Sequence, residues 1–339
     1  MLNVKEMPSI NVIIPTFNEE KRLKKCIDSV FSQDYPSDKI EIIVVDDDST
    51  DNTINIAKEY GIKILRNGHH NIEIGKSIGL QHSKHPYILF LDADNVLPYS
   101  NWIRQIIEPL LSDKEIVGAE PIYFQYNRKD APSNRYCSLF GINDPSAFYL
   151  GKRDRLMWIE KKWDLLGKVK DCGDHYKATF SIEAVPTIGS IGFLARKDML
   201  LKTNYKPYFF HMDANRELIE KGFNKYILMK IGIIHMHCDS SFVFLKKLRR
   251  NIGLYLIQSP LRNYDWTTDK IKLAYAALLM VTFIRPFYDS MIGYSKLRDK
   301  AWFLHPLFCF SVVLMYGIVF ADFKIRKLIG RIFQRNENN

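Results

Sequence analysis

The stretch Ile10-Asn11-Val12-Ile13-Ile14-Pro15-Thr16-Phe17-Asn18-Glu19 opens on an apolar, β-branched run and closes on a polar turn. A run this short reads as a buried strand, and the turn after it as a loop at the strand's carboxyl end. The same arrangement recurs downstream. Further apolar runs occupy residues 40–45, 62–65, 87–91 and 116–119. Helix-like stretches lie between them at 19–31, 51–60, 75–83 and 102–111. Ser49, Thr50 or Asp51 can cap the second of these helices. Strands alternating with helices predict an α/β fold with a mainly parallel sheet covered on both faces. Such sheets bind ligands outside the carboxyl ends of their strands. The polar residues 16–19, 46–48, 92 and 94 fall at those ends.

Residues 121–180 break the rhythm and are rich in aromatic and basic side chains, among them Tyr123, Tyr126, Tyr136, Tyr149, Trp158 and Tyr176. This segment reads as an excursion from the core, a substrate wall or lid on one view and a satellite core on the other. Regular structure resumes at 188–195, with a helix over 213–221 ended by Gly222. Strand-like runs follow at 226–229 and 231–235, then a helix over 242–258. From residue 270 the composition turns apolar. Residues 273–294 hold Arg285, Pro286 and Asp289 within an apolar background, and 301–320 carry only His305 as a potentially charged residue. Twenty helical residues reach about 30 Å, enough to span a bilayer core. A basic tail follows, with Lys324, Arg326, Lys327, Arg331 and Arg335. Three segments are therefore expected: 1–120 as the ligand-binding half of the sheet domain, 121–260 as its second half, and 261–339 as membrane-associated helices with the tail.

Charge and cysteine content exclude several classes. The 339 residues carry a net charge of +10. Residues 1–120 hold 13 basic and 19 acidic groups, whereas 241–339 hold 16 and 6. The excess thus sits at the C-terminal end, which disfavours an N-terminal nucleic-acid domain. The five cysteines are odd in number and lack a C-x-x-C spacing, so a disulfide framework or zinc ribbon is not supported. No signal-peptide pattern precedes residue 10, and the catalytic part is expected to stay in the cytoplasm.

Acidic residues at adjacent strand ends repel one another unless a cation lies between them. Asp92-Ala93-Asp94 places two carboxylates on one turn. Hard divalent cations such as Mg²⁺ and Mn²⁺ take such oxygen ligands and share them with substrate phosphates. A solvated, capped turn is the plainer alternative. Asp46, ending a buried run, can accept hydrogen bonds from a base edge or ribose hydroxyls, or cap the next helix with its neighbours. No Gly-x-Gly-x-x-Gly follows the first strand, which disfavours a dinucleotide fold. Gly75-Lys76-Ser77 looks like the end of a P-loop, but His70 stands where the earlier glycine belongs.

Pro15-Thr16-Phe17-Asn18-Glu19, Val45 to Asp51, Gly75 to Leu80 and Phe90-Leu91-Asp92-Ala93-Asp94 together resemble the ordered motifs of glycosyltransferase family 2. Those enzymes are inverting and have the GT-A fold, here with added C-terminal hydrophobic helices. The resemblance implies that Pro15, Thr16, Asn18, Glu19, Asp46 and Asp47 contact the nucleotide sugar. It implies Lys76 near the diphosphate, where the family usually has Arg, and Asp92 and Asp94 at a Mg²⁺ or Mn²⁺ ion. The family's catalytic base, an Asp after Glu, matches Asp213, although Met212 replaces the Glu and a helix cap is an alternative role. His235 follows the last strand run, as does His237, and is a candidate third metal ligand or a plain strand-end histidine. Arg249 and Arg250 can clamp a phosphate, or form a solvated or lipid-facing patch with Lys246 and Lys247. The motif of the family's processive polysaccharide synthases is not matched there, which suggests one sugar per event. His69, His70, His82 and His85 read as surface or loop residues.

The expected activity is metal-dependent transfer of a sugar from a nucleoside-diphosphate sugar to an acceptor, lipid-linked through a polyprenyl phosphate or glycan, in cell-surface glycan synthesis. The expected location is the cytoplasmic face of the cell membrane, with no nucleic-acid partner. The alternatives are a sugar nucleotidyltransferase and a non-catalytic membrane-bound scaffold. The first lacks its basic glycine-rich loop after strand one.

Overall fold

The computed structural model describes residues 7–264 and 269–337. The chain forms two compact units, one from 7–126 with 153–236 and the other from 127–152 with 237–337. The units interleave along the chain, whereas the three segments read from the sequence run consecutively.

In chain order the elements begin with β1 (Ile10–Thr16), α1 (Leu23–Phe31), β2 (Ile40–Asp46), α2 (Thr53–Glu59), β3 (Lys63–Arg66) and α3 (Ile72–His82). Next come β4 (Tyr87–Phe90), β5 (Asn95–Val96), α4 (Trp102–Leu111), β6 (Ile116–Phe124), α5 (Pro132–Phe140) and α6 (Pro145–Tyr149). Then follow β7 (Lys168–Asp171), β8 (His175–Thr179), β9 (Phe193–Arg196), α7 (Lys197–Leu200), α8 (His211–Glu220) and β10 (Lys225–His235). The chain ends with α9 (Ser241–Gln258), α10 (Lys270–Val281), α11 (Ile284–Lys296) and α12 (Leu304–Glu337).

The first unit is a mixed, mainly parallel sheet flanked by helices, in the order β3-β2-β1-β4-β9-β6-β10-β8-β7. Strands β1 to β4 are all parallel, as the alternating pattern predicts. Strand β9 lies antiparallel between β4 and β6, and β6 runs parallel to β10. The two runs expected at 226–229 and 231–235 are one strand whose register with β6 shifts between Met229 and Gly232. Trp102 of α4 is fully buried at that shift and donates its indole N–H to Gly232 O at 2.9 Å.

Alternation sorts the strand side chains by face. Ile10, Val12 and Ile14 pack with Leu23, Ile27 and Ile56 and with Ile103 and Ile106 in one core. Helices α1, α2 and α4 therefore cover that face. Ile13 points the other way, towards α3, where Gly79 permits the approach. A Cβ on Gly79 would lie 2.4 Å from Ile13 Cγ2.

In the second unit, α5 opens with Pro132 in its first turn and ends on Gly141 at φ 64°. The aromatic residues of 127–152 surround His305. Its Nδ1 lies 2.9 Å from Tyr136 Oη and its Nε2 3.0 Å from Tyr149 Oη. Tyr149 donates its own proton to Asp289 Oδ2 at 3.0 Å. That leaves His305 Nε2–H as donor to Tyr149, and Nδ1 as acceptor from Tyr136. Phe140 stacks on the imidazole with centroids 4.0 Å apart. Tyr316 donates to Asp144, and Arg135 pairs with Asp299 at 2.9 Å.

Helices α10 and α11 meet at a 70° bend. The break falls at Phe283, at φ 60°, and not at Pro286, which sits in the first turn of α11 where proline is tolerated. Arg285 and Asp289, four apart, pair at 3.0 Å. Lys300–Lys327 is long and apolar enough to cross a membrane, with 28% of its most apolar stretch buried within the protein. The side chains of Arg331 and Arg335 lie outside the described residues.

Candidate functional site at the carboxyl ends of the sheet

Strands β1 and β2 run in register from Ile10↔Ile40 to Thr16↔Asp46, so their polar ends arrive together. Thr16 Oγ1 donates to Asp46 Oδ1 at 3.1 Å, and Ser49 N–H donates to Asp46 Oδ2 at 2.9 Å. Asp46 is 3% exposed, and both of its carboxylate oxygens accept a hydrogen bond. Asp47 Oδ1 accepts from the backbone N–H groups of both His69 and His70, at 3.1 and 2.8 Å. At least that oxygen is committed to shaping the loop after β3.

Asn18 adopts φ 54°, a left-handed backbone that Asn tolerates better than most residues. Its Oδ1 accepts from Thr50 N–H at 2.8 Å, and its own N–H donates to Ser49 Oγ at 2.8 Å. Glu19 N–H donates to Thr53 Oγ1 at 2.8 Å, and its carboxylate pairs with Arg22 at 3.3 Å. The loops after β1 and β2 are thus cross-linked; Asp51 Oδ1 accepts from Thr53 N–H at 3.0 Å, but the N-cap position of α2 is Asn52, without a side-chain cap bond, rather than Ser49, Thr50 or Asp51. Pro15 packs beside Gly75 of α3, where a Cβ would come 3.4 Å from Pro15 Cβ. Lys76, one residue on, is 2% exposed, with its Nζ 3.8 Å from Glu73 Oε2.

The acidic turn follows β4. Asp92 N–H donates to Asn95 Oδ1 at 3.1 Å, and Asn95 Nδ2 donates to Asp94 Oδ1 at 3.3 Å. Strand β5 then pairs with the end of β10, Asn95 opposite His235. Met236 N–H donates to Asp94 O at 2.8 Å. This pairing carries His235 Nε2 to 3.4 Å from Asp94 Oδ1, with both residues buried. An oxygen and an imidazole nitrogen at that separation suit a divalent transition ion such as Mn²⁺. The local field is negative: burial and the carboxylates of Asp94 and Asp92 push the Cys26 thiol well above its ordinary value. His237 is also buried and opens the second unit, where its N–H donates to Asn134 Oδ1.

Asp213 is 6% exposed in the first turn of α8. Phe209, just before the helix, donates its N–H to Glu73 O and stacks on Phe90 at 4.8 Å. The start of α8 is therefore tied both to the α3 turn carrying Lys76 and to the end of β4. Arg249 and Arg250 are exposed on α9 of the second unit.

Three features escaped the sequence reading. Phe17 is 47% exposed, and its ring meets His70 edge-on at 5.9 Å, so two rings border the loop that Asp47 holds. His69 and His70 are exposed loop residues, as read, but their backbone is fixed. Asn67, just after β3, is buried and donates its Nδ2 to Asn71 O at 2.8 Å. Finally, Glu120 of β6 and Arg155 form a buried ion pair. Burial holds the Glu120 carboxyl above the ordinary carboxylate range, against the pull of Arg155. No local pattern marks the Phe17–His70 contact or the Glu120–Arg155 pair, whose partners lie far apart in sequence.

Residues 11–172 match the model of the family described as Glycosyl transferase family 2. The chain is 29% identical over 144 residues to Glycosyltransferase AglE of Haloferax volcanii, covering 39% of this chain and 45% of that protein. It is 38% identical over 97 residues to the poly(ribitol-phosphate) beta-N-acetylglucosaminyltransferase TarP of Staphylococcus aureus, covering 27% and 30%. The chain thus spans less than half the length of these relatives. Among solved structures, it is similar to the mannosyltransferase PcManGT of Pyrobaculum calidifontis, solved in complex with GDP-Man and Mn²⁺. The TM-score is 0.52 at 14% identity, over 93% of this chain and 88% of that one. That likeness is one of fold, the GT-A architecture that the sequence motifs imply. Over residues 11–172 the chain is thus similar to glycosyl transferase family 2.

Proposed function

We propose that the protein is a metal-dependent, inverting glycosyltransferase that moves a sugar from a nucleoside-diphosphate sugar to a lipid-linked acceptor. The observation that carries this reading is the Asp94–His235 pair beside Asp92, at the same sheet edge as the Thr16–Asp46 pair. Asp92, Asp94 and His235 would hold Mg²⁺ or Mn²⁺. When bound, such an ion offsets charge on the leaving nucleoside diphosphate. The Pyrobaculum enzyme of the same fold was solved with Mn²⁺ and a nucleotide sugar, which supports this reading.

The chain's own residues then have distinct tasks. Thr16, Asn18 and Asp46 shape the nucleoside pocket, with Pro15 and Glu19 fixing its loop and Asp47 holding the opposite wall. Lys76 supplies positive charge for the diphosphate. Asp213 takes the proton of an acceptor hydroxyl as its oxygen attacks the anomeric carbon from the face opposite the leaving group. An acceptor phosphate, already ionised, needs no such base. Arg249 is a candidate phosphate contact.

The second unit suits attachment to the cytoplasmic face of a membrane. Ile271 is 85% exposed and Ile284 78%, and Leu278, Phe287, Leu307 and Leu314 are also exposed. Apolar surface on this scale marks an interaction site. At about 1.5 Å per residue, α10 and α11 are each too short to cross a bilayer core alone. A 70° bend between them fits an interfacial or re-entrant pair. Basic residues such as Lys296, Lys324 and Lys327 would meet anionic headgroups.

A screen of UDP-, GDP-, CDP- and dTDP-sugars with the detergent-purified chain tests the activity. Release of a nucleoside diphosphate from one donor, lost in excess chelator, is the expected result. No release from any donor, or release indifferent to chelator, contradicts it.

A further inference from the structure

Glu120 is 1% exposed and Arg155 is 0% exposed. A buried ion pair is weak evidence of stabilisation, since apolar replacements of similar volume are often neutral or better. The pair's other contacts point to a different role. Glu120 Oε2 accepts from Gly189 N–H at 2.6 Å, and Arg155 Nη2 donates to Ile191 O at 3.0 Å. Both backbone groups belong to the loop over 186–192 that leads into β9. Arg155 Nη1 donates to Asp154 at 2.6 Å, and its guanidinium lies over the Phe124 ring at 4.7 Å. That ring in turn meets the imidazole of His235 at 4.9 Å.

The same loop touches both halves of the candidate site. Gly189 sits at φ 126°, where a Cβ would lie 2.8 Å from Cβ of His211, the first residue of α8. Asn215, two residues after Asp213, donates its Nδ2 to Ile188 O at 2.7 Å and accepts from Tyr226 Oη at 3.0 Å. At the other end of the loop, Gly192 N–H donates to Phe90 O, two residues before Asp92. The loop is thus clamped between the Glu120–Arg155 pair and the helix that carries Asp213, and it ends beside the acidic turn.

We propose that Glu120 and Arg155 are positioning residues: their buried pair fixes the 186–192 loop, and through Asn215 the placement of Asp213, while Arg155 seats the Phe124 ring against His235. This rests on the reading of Asp213 as the base. A catalytic group displaced by as little as about 1 Å can lose about 10²-fold in rate, so a rigid, satisfied anchor behind the loop has a kinetic purpose.

A double-mutant cycle between Glu120→Gln and Asp213→Asn tests it. The cycle uses the full-length protein in detergent, with the donor found by the screen and water standing in for the acceptor hydroxyl. Residues that act as a unit give non-additive losses, so Glu120→Gln should lower kcat about 10-fold alone and less than about 2-fold in the Asp213→Asn background. The donor KM should stay within about 2-fold in each variant, because a positioning defect spares ground-state binding. Equal losses in both backgrounds, a loss confined to KM, or no loss overturns the inference. Full turnover by Asp213→Asn alone overturns the assignment of the base and this inference with it, whereas an additive cycle overturns this inference only. Arg155→Lys keeps the charge but loses the fork whose Nη1 reaches Asp154 while its Nη2 reaches Glu120 and Ile191 O. It runs through the same cycle with the same expectation should Glu120→Gln fail to fold.

Discussion

At the scale of single residues, the chemistry gathers where the backbone brings distant side chains together. Asp94 and His235 are 141 positions apart in the chain, yet β5 and β10 pair them within 3.4 Å. The sequence shows each residue at a strand end, and a carboxylate pair on a turn suggests a cation. Their meeting depends on a two-residue strand too short to leave a pattern. The Glu120–Arg155 contact was illegible for the same reason, since neither residue belongs to a motif. Two predictions belong here. Asp94→Asn and His235→Ala should each raise the Mn²⁺ concentration needed for half-maximal nucleoside diphosphate release by at least about 10-fold. A metal titration of turnover checks this, and an unchanged midpoint in both variants would remove them from the ion. Asp213→Asn should keep donor binding but lose about 10²–10⁴-fold in turnover with a hydroxyl acceptor. Wild-type turnover would leave Asp213 as no more than a first-turn residue of α8.

Elements were more legible than their neighbours in space. The four parallel strands β1 to β4 and the helices between them follow from apolar runs and helical periodicity, with ends shifted by a few residues. Strand β9 was harder: its four residues, Phe193–Arg196, follow a glycine-containing loop and insert antiparallel between β4 and β6. That placement is set by tertiary packing rather than by local propensity. The bend between α10 and α11 is similar. The chain breaks at Phe283, and Pro286 lies in the first turn of the next helix. One element contact has a measurable cost. Helix α3 approaches β1 closely because Gly79 faces Ile13, so Gly79→Ala should destabilise the fold by about 1–3 kcal/mol through overpacking. Chemical denaturation would measure it. Pairing Gly79→Ala with Ile13→Ala should cost less than the sum of the two single changes, since contacting residues couple. Strict additivity would mean that this approach is not the source of the strain.

At the scale of the whole molecule, the two units explain why the aromatic stretch read ambiguously. Its middle part, 127–152, packs around His305 with partners more than 130 positions away, while Tyr123, Tyr126 and Trp158 stay with the sheet. Contacts so remote in sequence leave only composition as a trace. Composition also made the apolar C-terminal fifth visible without revealing that two of its helices are short and meet at a bend. Single cysteines at Ser295 and Lys324, in a background with the exposed Cys172→Ser, report membrane topology in intact cells. Shielding of both from an impermeant reagent is expected for attachment to the cytoplasmic face. Labelling at 295 alone means two crossings, and labelling at 324 alone means that α12 crosses once. Recovery of the full chain in the soluble fraction without detergent contradicts membrane attachment.

The central claim is that the carboxyl ends of this sheet bind a divalent ion and a nucleoside diphosphate together. Calorimetric titration of the purified chain with UDP and with GDP, each with and without Mn²⁺, tests this directly. One nucleotide should bind in a Mn²⁺-dependent manner to the wild-type protein and lose that dependence in Asp94→Asn. Binding that is indifferent to Mn²⁺, or that survives unchanged in Asp94→Asn, contradicts the account.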